Sequence, residues 1–416
     1  MDGNDRRILS VTMLGHGTVH AYELAIPIFI PLWMAEFDES AAIIGIVVAI
    51  GYALYGFGAV PSGVVTDEYG SMRLMSLSLF GMGAAFLILS FASSAIGVAV
   101  ALIVWGIAAS IYHPSGLRLI STGVHERGTA FGYHGIAGNA GIALGPFLAT
   151  VFLIGLEWRA VVALLAIPAL IGAVYTYSVS VDELAAVSSE AASRMDTRVG
   201  ASIGEFLGST RVLFSGGFIV VLPMVVLEGF YYRGVLTFLP DVLAGYPALA
   251  QISIGDVTAD PSRYVFVGIL VIGMAGQYIG GRLSDRMPPE RAAIGAFVLL
   301  GLLSVIFVPA ASAGLVPLLI VSGLLGLVLF GEQPLLQAIV ADYSGSAVRG
   351  LSYGYMFLGV FGIGALGAAV SGAVLAYSTA QALFLLLGVI PILAAFMAAA
   401  LVAYGDELPM VVRQAR

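Results

Sequence analysis

Three polar side chains lie close together in an otherwise apolar N-terminal segment. His16, His20 and Glu23 are spaced i, i+4 and i+7, which places them on one side of an α-helix. Burial favours the neutral form of a carboxylic acid, and a neighbouring imidazole can accept or pass on a proton. The pattern therefore predicts a proton-coupling site. The alternative is that the two histidines only hydrogen-bond to neighbouring helices.

A second polar group lies in the later apolar segments. Glu228, Tyr231 and Tyr232 are spaced i, i+3 and i+4, so a carboxylate lies beside two aromatic donors suited to an organic substrate. Arg233 lies off that face and either pairs with an acid or reaches the outer surface. Ionisable residues inside apolar segments are energetically costly and mark functional sites. We add Glu332 to the proton-coupling candidates and the following residues to the substrate-cavity candidates: His113, Asn139, Gln333 and Gln337.

Two enzyme motifs are absent from the chain. It contains no His-Glu-x-x-His pair. A phosphate-binding Gly-x-x-x-x-Gly-Lys loop cannot occur, because all 17 basic residues are arginine. We therefore expect no enzyme, no catalytic residue, no metal site and no cofactor beyond a proton or sodium gradient.

The composition of the 416 residues indicates a membrane protein. Apolar residues make up 60% of the chain and charged residues 10%, and the mean hydropathy is +1.02. Twelve membrane-spanning helices would occupy about 240 residues. A soluble enzyme, a nucleic-acid-binding protein and, with no cysteine, a disulfide scaffold are excluded. The lysine-free composition with a net charge of −8 fits either GC-biased codons or a halophile's high-salt cytoplasm.

Apolar runs separated by short breaks predict twelve helices, called spans 1 to 12 below. The predicted ranges are 9–34, 41–66, 74–92, 95–120, 128–154, 158–180, 212–239, 263–284, 292–311, 314–340, 350–376 and 380–404. The organisation we expect is an N-terminal six-helix bundle at 1–181, a cytoplasmic linker at 182–211, a C-terminal six-helix bundle at 212–405 and a tail at 406–416.

The arginines predict the orientation of the chain in the membrane. With a cytoplasmic N-terminus, all of them except Arg159, Arg233 and Arg263 fall on the cytoplasmic side, as the positive-inside rule requires. An even number of spans then places the C-terminus in the cytoplasm as well. We expect a monomeric, multi-pass protein of the plasma membrane, with the lipid bilayer and a small-molecule substrate as its partners and no nucleic acid.

The two halves of the sequence repeat each other. The run from Arg127 to Tyr133 at the start of span 5 resembles the run from Arg349 to Tyr355 at the start of span 11, 222 residues later. Gly145 pairs with Gly367 at the same offset. Repeats of six helices each predict two parallel bundles, an arrangement typical of transporters whose site lies near the bilayer midplane.

Several motifs resemble those of the major facilitator superfamily. Gly63-x-x-x-Asp67-x-x-Gly70-x-x-Arg73 is similar to its loop signature after span 2, although Glu68 replaces a base. The second copy contains Gly281, Asp285 and Arg286, with Pro288 in place of a glycine. Gly132-x8-Gly141-x3-Gly145-Pro146 resembles the signature of the superfamily's antiporters, except that Ala149 and Thr150 replace its last two glycines. The resemblance implies an all-α fold of twelve transmembrane helices.

A narrower resemblance rests on spans 1, 4 and 5. Tyr112-His113-Pro114-Ser115-Gly116, with Arg118, and Gly135-x-x-Gly138-Asn139-Ala140-Gly141 look like the fosmidomycin-resistance-type multidrug exporters. This resemblance implies a central cavity lined by spans 1, 4, 7 and 10. The superfamily's span 4 arginine is absent near Leu102, which puts an arginine-gated proton relay in doubt.

Physical reasoning supports two structural roles for these motifs. Gly63, at the end of span 2, allows close helix contact, and Asp67 one turn later can bind the positive N-terminus of a neighbouring helix. We expect these loop residues, with their second copy, to form a conformational latch. Gly141, Gly145 and Pro146 are expected to pack helix against helix.

The sequence thus predicts a secondary active transporter that works by alternating access. The antiporter-like span 5 and the buried carboxylates favour a proton-coupled antiporter that exports small organic or drug-like compounds. The alternative is a proton- or sodium-coupled uptake symporter for a metabolite on the same fold.

Overall fold

The computed structural model describes residues 1–187, 203–214, 216–254, 257–284, 286–344 and 349–404. Within them lie twelve helices that are long and apolar enough to cross a membrane. Spans 1 to 6 are Gly3–Phe37, Ala41–Tyr69, Ser71–Ser90, Ala95–Gly123, Arg127–Phe152 and Trp158–Ser178. Spans 7 to 12 are Phe218–Ala244, Pro261–Ser284, Pro289–Ser312, Leu315–Asp342, Arg349–Tyr377 and Ala380–Tyr404. The all-α fold of twelve spans is therefore confirmed.

Span 7 differs from its predicted bounds by several residues at both ends. It begins at Phe218 rather than near 212, because residue 212 belongs to a separate short helix, Ile203–Leu213. Gly216 and Gly217 precede Phe218, and glycine disfavours a continuous helix because of its backbone freedom. The same span continues to Ala244, five residues beyond the predicted end at 239.

Three spans are interrupted in ways that the sequence analysis does not anticipate. Span 4 divides into Ala95–Ser110 and Tyr112–Gly123, and span 10 into Leu315–Gly331 and Gln333–Asp342. Span 11 contains a π-helical stretch, Leu358–Ile363, between Arg349–Phe357 and Leu366–Tyr377. In spans 4 and 10 a proline lies in the first turn after the break, where its missing N–H and its ring disfavour continuous helix geometry.

The chain divides into two compact units. Unit 1 comprises Met1–Phe37 and Ile50–Ser202, and unit 2 comprises Asp38–Ala49 and Ile203–Arg416. In unit 1, span 1 packs on span 5 and span 3 packs on span 6. In unit 2, span 7 packs on spans 11 and 12, and span 8 packs on span 10.

Backbone-to-backbone packing repeats in the two units. A Cβ atom on Gly145 of span 5 would collide with the backbone of Ala21 in span 1, and one on Gly141 would collide with Gly17. In unit 2, a Cβ on Gly367 of span 11 would collide with the backbone of Phe230 in span 7. Small residues allow helices in lipid to approach this closely. Gly145 and Gly367, which correspond in the sequence repeat, therefore make equivalent helix contacts, each within its own unit.

A short hairpin follows span 7. The 3₁₀ turn Pro247–Leu249 leads into strand β1, Ile252–Ile254, which pairs antiparallel with β2, Val257–Ala259. Ser253 lies opposite Thr258, and their hydroxyl oxygens are 3.1 Å apart.

Candidate functional site

Unit 1 contains a chain of hydrogen-bonded side chains along span 1. The His16 Nδ1 atom lies 2.7 Å from the carbonyl oxygen of His134 in span 5, and because a carbonyl only accepts, Nδ1 donates. The Nε2 atoms of His16 and His20 are 3.1 Å apart. The Nδ1 atom of His20 lies 2.7 Å from Oε2 of Glu23, which is buried. His16, His20 and Glu23, which the sequence places on one face of span 1, are thus linked by a continuous series of polar contacts.

Spans 2, 4 and 5 complete the polar cluster of unit 1. His113 lies in the first turn after the break in span 4, and its Nδ1 atom lies 3.0 Å from the hydroxyl of Tyr55 in span 2. The ring of His134 stacks on that of His16 with centroids 3.7 Å apart. Tyr112 donates to the carbonyl of Thr12, so its hydroxyl accepts from His134 Nε2 at 3.0 Å. Spans 1, 4 and 5 thus bring four histidines together, and span 2 adds Tyr55.

Unit 2 contains a cluster of carboxylates and one arginine. Glu228 of span 7 and Glu332 at the break of span 10 are both buried and lie close enough to interact electrostatically. Glu228 also interacts with Arg233, which is 2% exposed. The Arg233 guanidinium lies over the rings of Tyr232 and Phe361, at 5.3 and 5.1 Å from their centroids. Of the two alternatives for Arg233, the structure supports interaction with an acid rather than exposure at the outer surface.

The other predicted substrate-cavity residues differ in their hydrogen bonds and in their exposure. The hydroxyl of Tyr231 lies 2.8 Å from that of Ser304 in span 9. Gln333 accepts a hydrogen bond of 3.1 Å from the side chain of Gln277 in span 8. Gln337 is exposed, and in unit 1 Asn139 is partly exposed on span 5. Their predicted contact with substrate remains a prediction.

The expected latch contains an acid that the sequence analysis misses. The carboxylate of Glu183, which follows span 6, accepts from the backbone N–H groups of Ser71 (2.8 Å) and Met72 (3.0 Å) at the start of span 3. Arg118 of span 4 donates to the same carboxylate at 3.2 Å. Gly70, with φ +86°, provides the left-handed turn that leads into span 3. Glu183 thus makes the helix-terminus contact that is expected of Asp67.

The other latch candidates are described only in part. The side chain of Asp67 and the whole of Asp285 lie outside the described residues. Arg73 and Arg286 are exposed. A Cβ on Gly63 or Gly281 would have no neighbour within 4 Å, apart from nearby helix backbone. Within the described residues no neighbouring helix approaches Gly63, so the close helix contact predicted there is not found.

Two residues of these clusters, Tyr55 and Glu183, escape sequence reasoning. Tyr55 is one of several aromatic residues in span 2, and no periodic feature distinguishes it. Glu183 stands in a polar stretch after span 6, where acids are common. Both are recognised only from contacts between spans far apart in sequence.

Comparisons with known proteins agree with this architecture. The family model of the Major Facilitator Superfamily matches residues 12–331 and 246–414. An uncharacterized MFS-type transporter of Bacillus subtilis (strain 168), YfnC, is 24% identical over 377 residues, which is 86% of each chain.

Solved structures with a similar fold include three transporters. A bacterial homologue of the human lysosomal transporter Spinster has a TM-score of 0.75 at 14% identity, with 98% of this chain and 99% of that chain covered. The nucleoside transporter NupG gives 0.74 at 16% identity, with 95% and 99% covered. The xylose transporter XylE from E. coli gives 0.69 at 16% identity, with 94% and 95% covered. With a family match that spans most of its length, the chain belongs to the Major Facilitator Superfamily of membrane transporters.

Proposed function

We propose that this transporter is a proton-coupled antiporter that exports small organic or drug-like compounds by alternating access. The observation that carries the proposal is the buried pair of carboxylates, Glu228 and Glu332, inside unit 2. Transporters of this architecture bind substrate and coupling ions near the bilayer midplane.

The surroundings of the pair favour one bound proton. Glu332 is 0% exposed, and its carboxyl group lies within hydrogen-bonding reach of that of Glu228. An isolated buried carboxylate is costly when ionised, and two neighbouring ones do not both ionise. Arg233 offers a positive charge to Glu228, which leaves Glu332 as the better proton carrier.

The change in charge supplies a coupling mechanism. With a proton on the pair, Arg233 balances the single remaining carboxylate, and the cluster of Glu228, Glu332 and Arg233 carries little net charge through the conformational change. Without the proton, one buried negative charge is uncompensated, and its desolvation opposes the same change. The conformational change is thereby linked to proton binding.

The direction of transport rests on a different observation. The glycine row of span 5, which packs on span 1, resembles the pattern of the superfamily's antiporters. Export from the cytoplasm is the direction that we infer from this resemblance. The span 1 candidates His16, His20 and Glu23 stay predicted proton-coupling residues, and the proposal does not depend on them.

Transport in reconstituted vesicles tests the proposal. A thermal-shift screen of drug-like organic compounds first identifies a ligand, because binding to the folded state raises the apparent Tm. Uptake of that compound is then measured with an imposed pH gradient, with a sodium gradient alone and with neither. Glu332→Gln removes the titratable group, and Glu157→Gln makes the same chemical change at an exposed position.

We expect the pH gradient to accelerate transport in the unmodified protein and in Glu157→Gln. Glu332→Gln should retain exchange of substrate for substrate and lose its response to the gradient. Gradient-driven transport that persists in Glu332→Gln, or a response to sodium alone, would overturn the proposed proton site. Accumulation of the same compound in intact cells that express the protein would overturn export.

A further inference from the structure

The histidine cluster of unit 1 has the geometry of a metal site, although the sequence alone predicts none. One ring nitrogen each of His16, His20 and His113 lies within 4.8 Å of the other two. The geometry points to a binding site for one divalent transition metal ion, with Zn²⁺ as the representative of the class, held by the Nε2 atoms of these three histidines. Metal binding is measured without transport, so this inference stands apart from the proposed function.

The spacing of the three rings fits tetrahedral coordination. Zn–N bonds of 2.0–2.1 Å at tetrahedral angles place two ligand nitrogens about 3.4 Å apart and the centroids of their rings about 5 Å apart. The Nε2 atoms of His16 and His20 are 3.1 Å apart. The three pairs of ring centroids are 4.7, 5.3 and 5.5 Å apart, with interplanar angles of 65°, 86° and 71°. The rings surround a common centre and do not stack on one another.

Each of the three rings is held by a second contact through its Nδ1 atom. The partners are the His134 carbonyl for His16, the Glu23 carboxylate for His20 and the Tyr55 hydroxyl for His113. Metal-bound histidines show this arrangement, because the second partner fixes the orientation of the ring and raises the basicity of the ligating nitrogen. Because Nδ1 of each ring already has this partner, we assign Nε2 as the ligating nitrogen.

The local charge and access also suit a cation. Glu23, 1% exposed, places a negative charge one contact away from the proposed ion and partly compensates it. The side chain of His20 remains 14% exposed, which gives an ion an approach. Three protein ligands leave a fourth tetrahedral position for water or a substrate group, as in open zinc sites. Imidazole ligands suit Zn²⁺, Cu²⁺ and Ni²⁺ rather than Mg²⁺ or Ca²⁺.

A competing explanation is that the cluster only binds and passes protons. In that case the contact between His16 and His20 is an ordinary hydrogen bond, and no metal ion enters. The two explanations differ in a measurable quantity, the number of Zn²⁺ ions that the purified protein binds.

Direct metal binding tests the inference. The full chain is purified with an affinity tag that lacks histidine, stripped with a chelator and titrated with Zn²⁺ by calorimetry, and bound metal is counted by mass spectrometry. Co²⁺ serves as a second probe, because its visible spectrum reports tetrahedral nitrogen ligands. The chain contains five histidines and no cysteine, so few other ligands compete.

The controls separate this site from the other metal-capable group. Asp2, Asp5 and His125 also bring possible ligands together, and His125 is exposed. His125→Ala removes the histidine of that group and leaves the three-histidine site intact. His113→Ala removes one of the proposed ligands. Tyr55→Phe removes the hydroxyl that contacts His113 Nδ1, with almost no change in volume, and provides a variant that keeps its fold if His113→Ala does not.

We expect one Zn²⁺ per chain for the unmodified protein and for His125→Ala. Tyr55→Phe and Glu23→Gln should weaken the affinity for Zn²⁺ by about 10–100-fold, the usual effect of removing a contact to a ligating histidine. His113→Ala should weaken it further and abolish the tetrahedral Co²⁺ spectrum. Absence of Zn²⁺ from the unmodified protein would overturn the inference. So would loss of binding in His125→Ala, or unchanged affinity in both His113→Ala and Tyr55→Phe.

Discussion

The contact between spans 1 and 5 gives a sharp prediction for Gly145→Ala. A Cβ atom at this position would lie 2.5 Å from the Cα atom and 2.6 Å from the carbonyl carbon of Ala21. Carbon atoms in contact normally lie about 3.5–4.0 Å apart. The neighbours are backbone atoms of a helix, so no side-chain rotation relieves the collision, and spans 1 and 5 must separate by about 1 Å.

The magnitude of this effect can be worked out against a matched control. Overpacking of a close interface costs about 1–3 kcal/mol, whereas alanine in place of glycine inside a helix gains about 1 kcal/mol. Gly135 lies in the same span, and a Cβ there would meet nothing within 4 Å. Gly135→Ala should therefore be neutral or stabilising. The difference between the two variants isolates the collision, at about 1–3 kcal/mol.

Thermal unfolding in detergent measures the difference. A destabilisation of 1 kcal/mol lowers Tm by about 2–4 °C for a unit of this size, so Gly145→Ala should unfold about 2–12 °C below Gly135→Ala. Membrane proteins often unfold irreversibly, so the scan rate must be identical for all variants. Equal apparent Tm values for the two variants would refute the close contact between the spans.

Two further predictions concern contacts within the units, and both are checked by the apparent Tm. Glu183→Ala should destabilise unit 1 by about 1–2 kcal/mol, because two backbone N–H groups at the start of span 3 lose their acceptor, while Glu157→Ala at an exposed position should not. Tyr231→Phe should cost about 0.5–1.5 kcal/mol, and the same change in a Ser304→Ala background should cost less, because the hydrogen bond between them is lost only once. An unchanged Tm for Glu183→Ala, or fully additive effects of the Tyr231 and Ser304 variants, would contradict these contacts.

The helices of this fold are predictable because the bilayer imposes one requirement on every span. About 20 apolar residues and a polar break identify each helix, and ten of the twelve begin within about four residues of the predicted position. The interruptions in spans 4, 10 and 11 have a weaker signal. Pro114 and Pro334 mark two of them, but proline also lies in uninterrupted spans, as Pro146 does in span 5. Its presence alone therefore does not predict a break.

The candidate site was only partly predictable, for a geometric reason. Helical periodicity places His16, His20 and Glu23 on one face of span 1, and the structure connects them by hydrogen bonds. Periodicity does not predict that His113 and Tyr55 lie beside these residues, because that depends on how spans 2 and 4 are rotated about their axes. Those rotations follow from side-chain packing between helices, and no local pattern in the sequence predicts that packing.

The breaks in spans 4 and 10 explain why both polar clusters form where they do. Where helix geometry is interrupted, side chains near the break take directions that a continuous helix would not give them. In span 4 the break at Ile111 is followed directly by Tyr112 and His113. In span 10 the break is Glu332 itself, followed by Gln333. Discontinuous helices are tolerated in a membrane only where the backbone is buried in protein or lines a cavity. The repeat thus supplies the same broken element twice. The break in span 4 places His113 in the cluster rich in imidazoles, and the break in span 10 places Glu332 in the cluster rich in carboxylates.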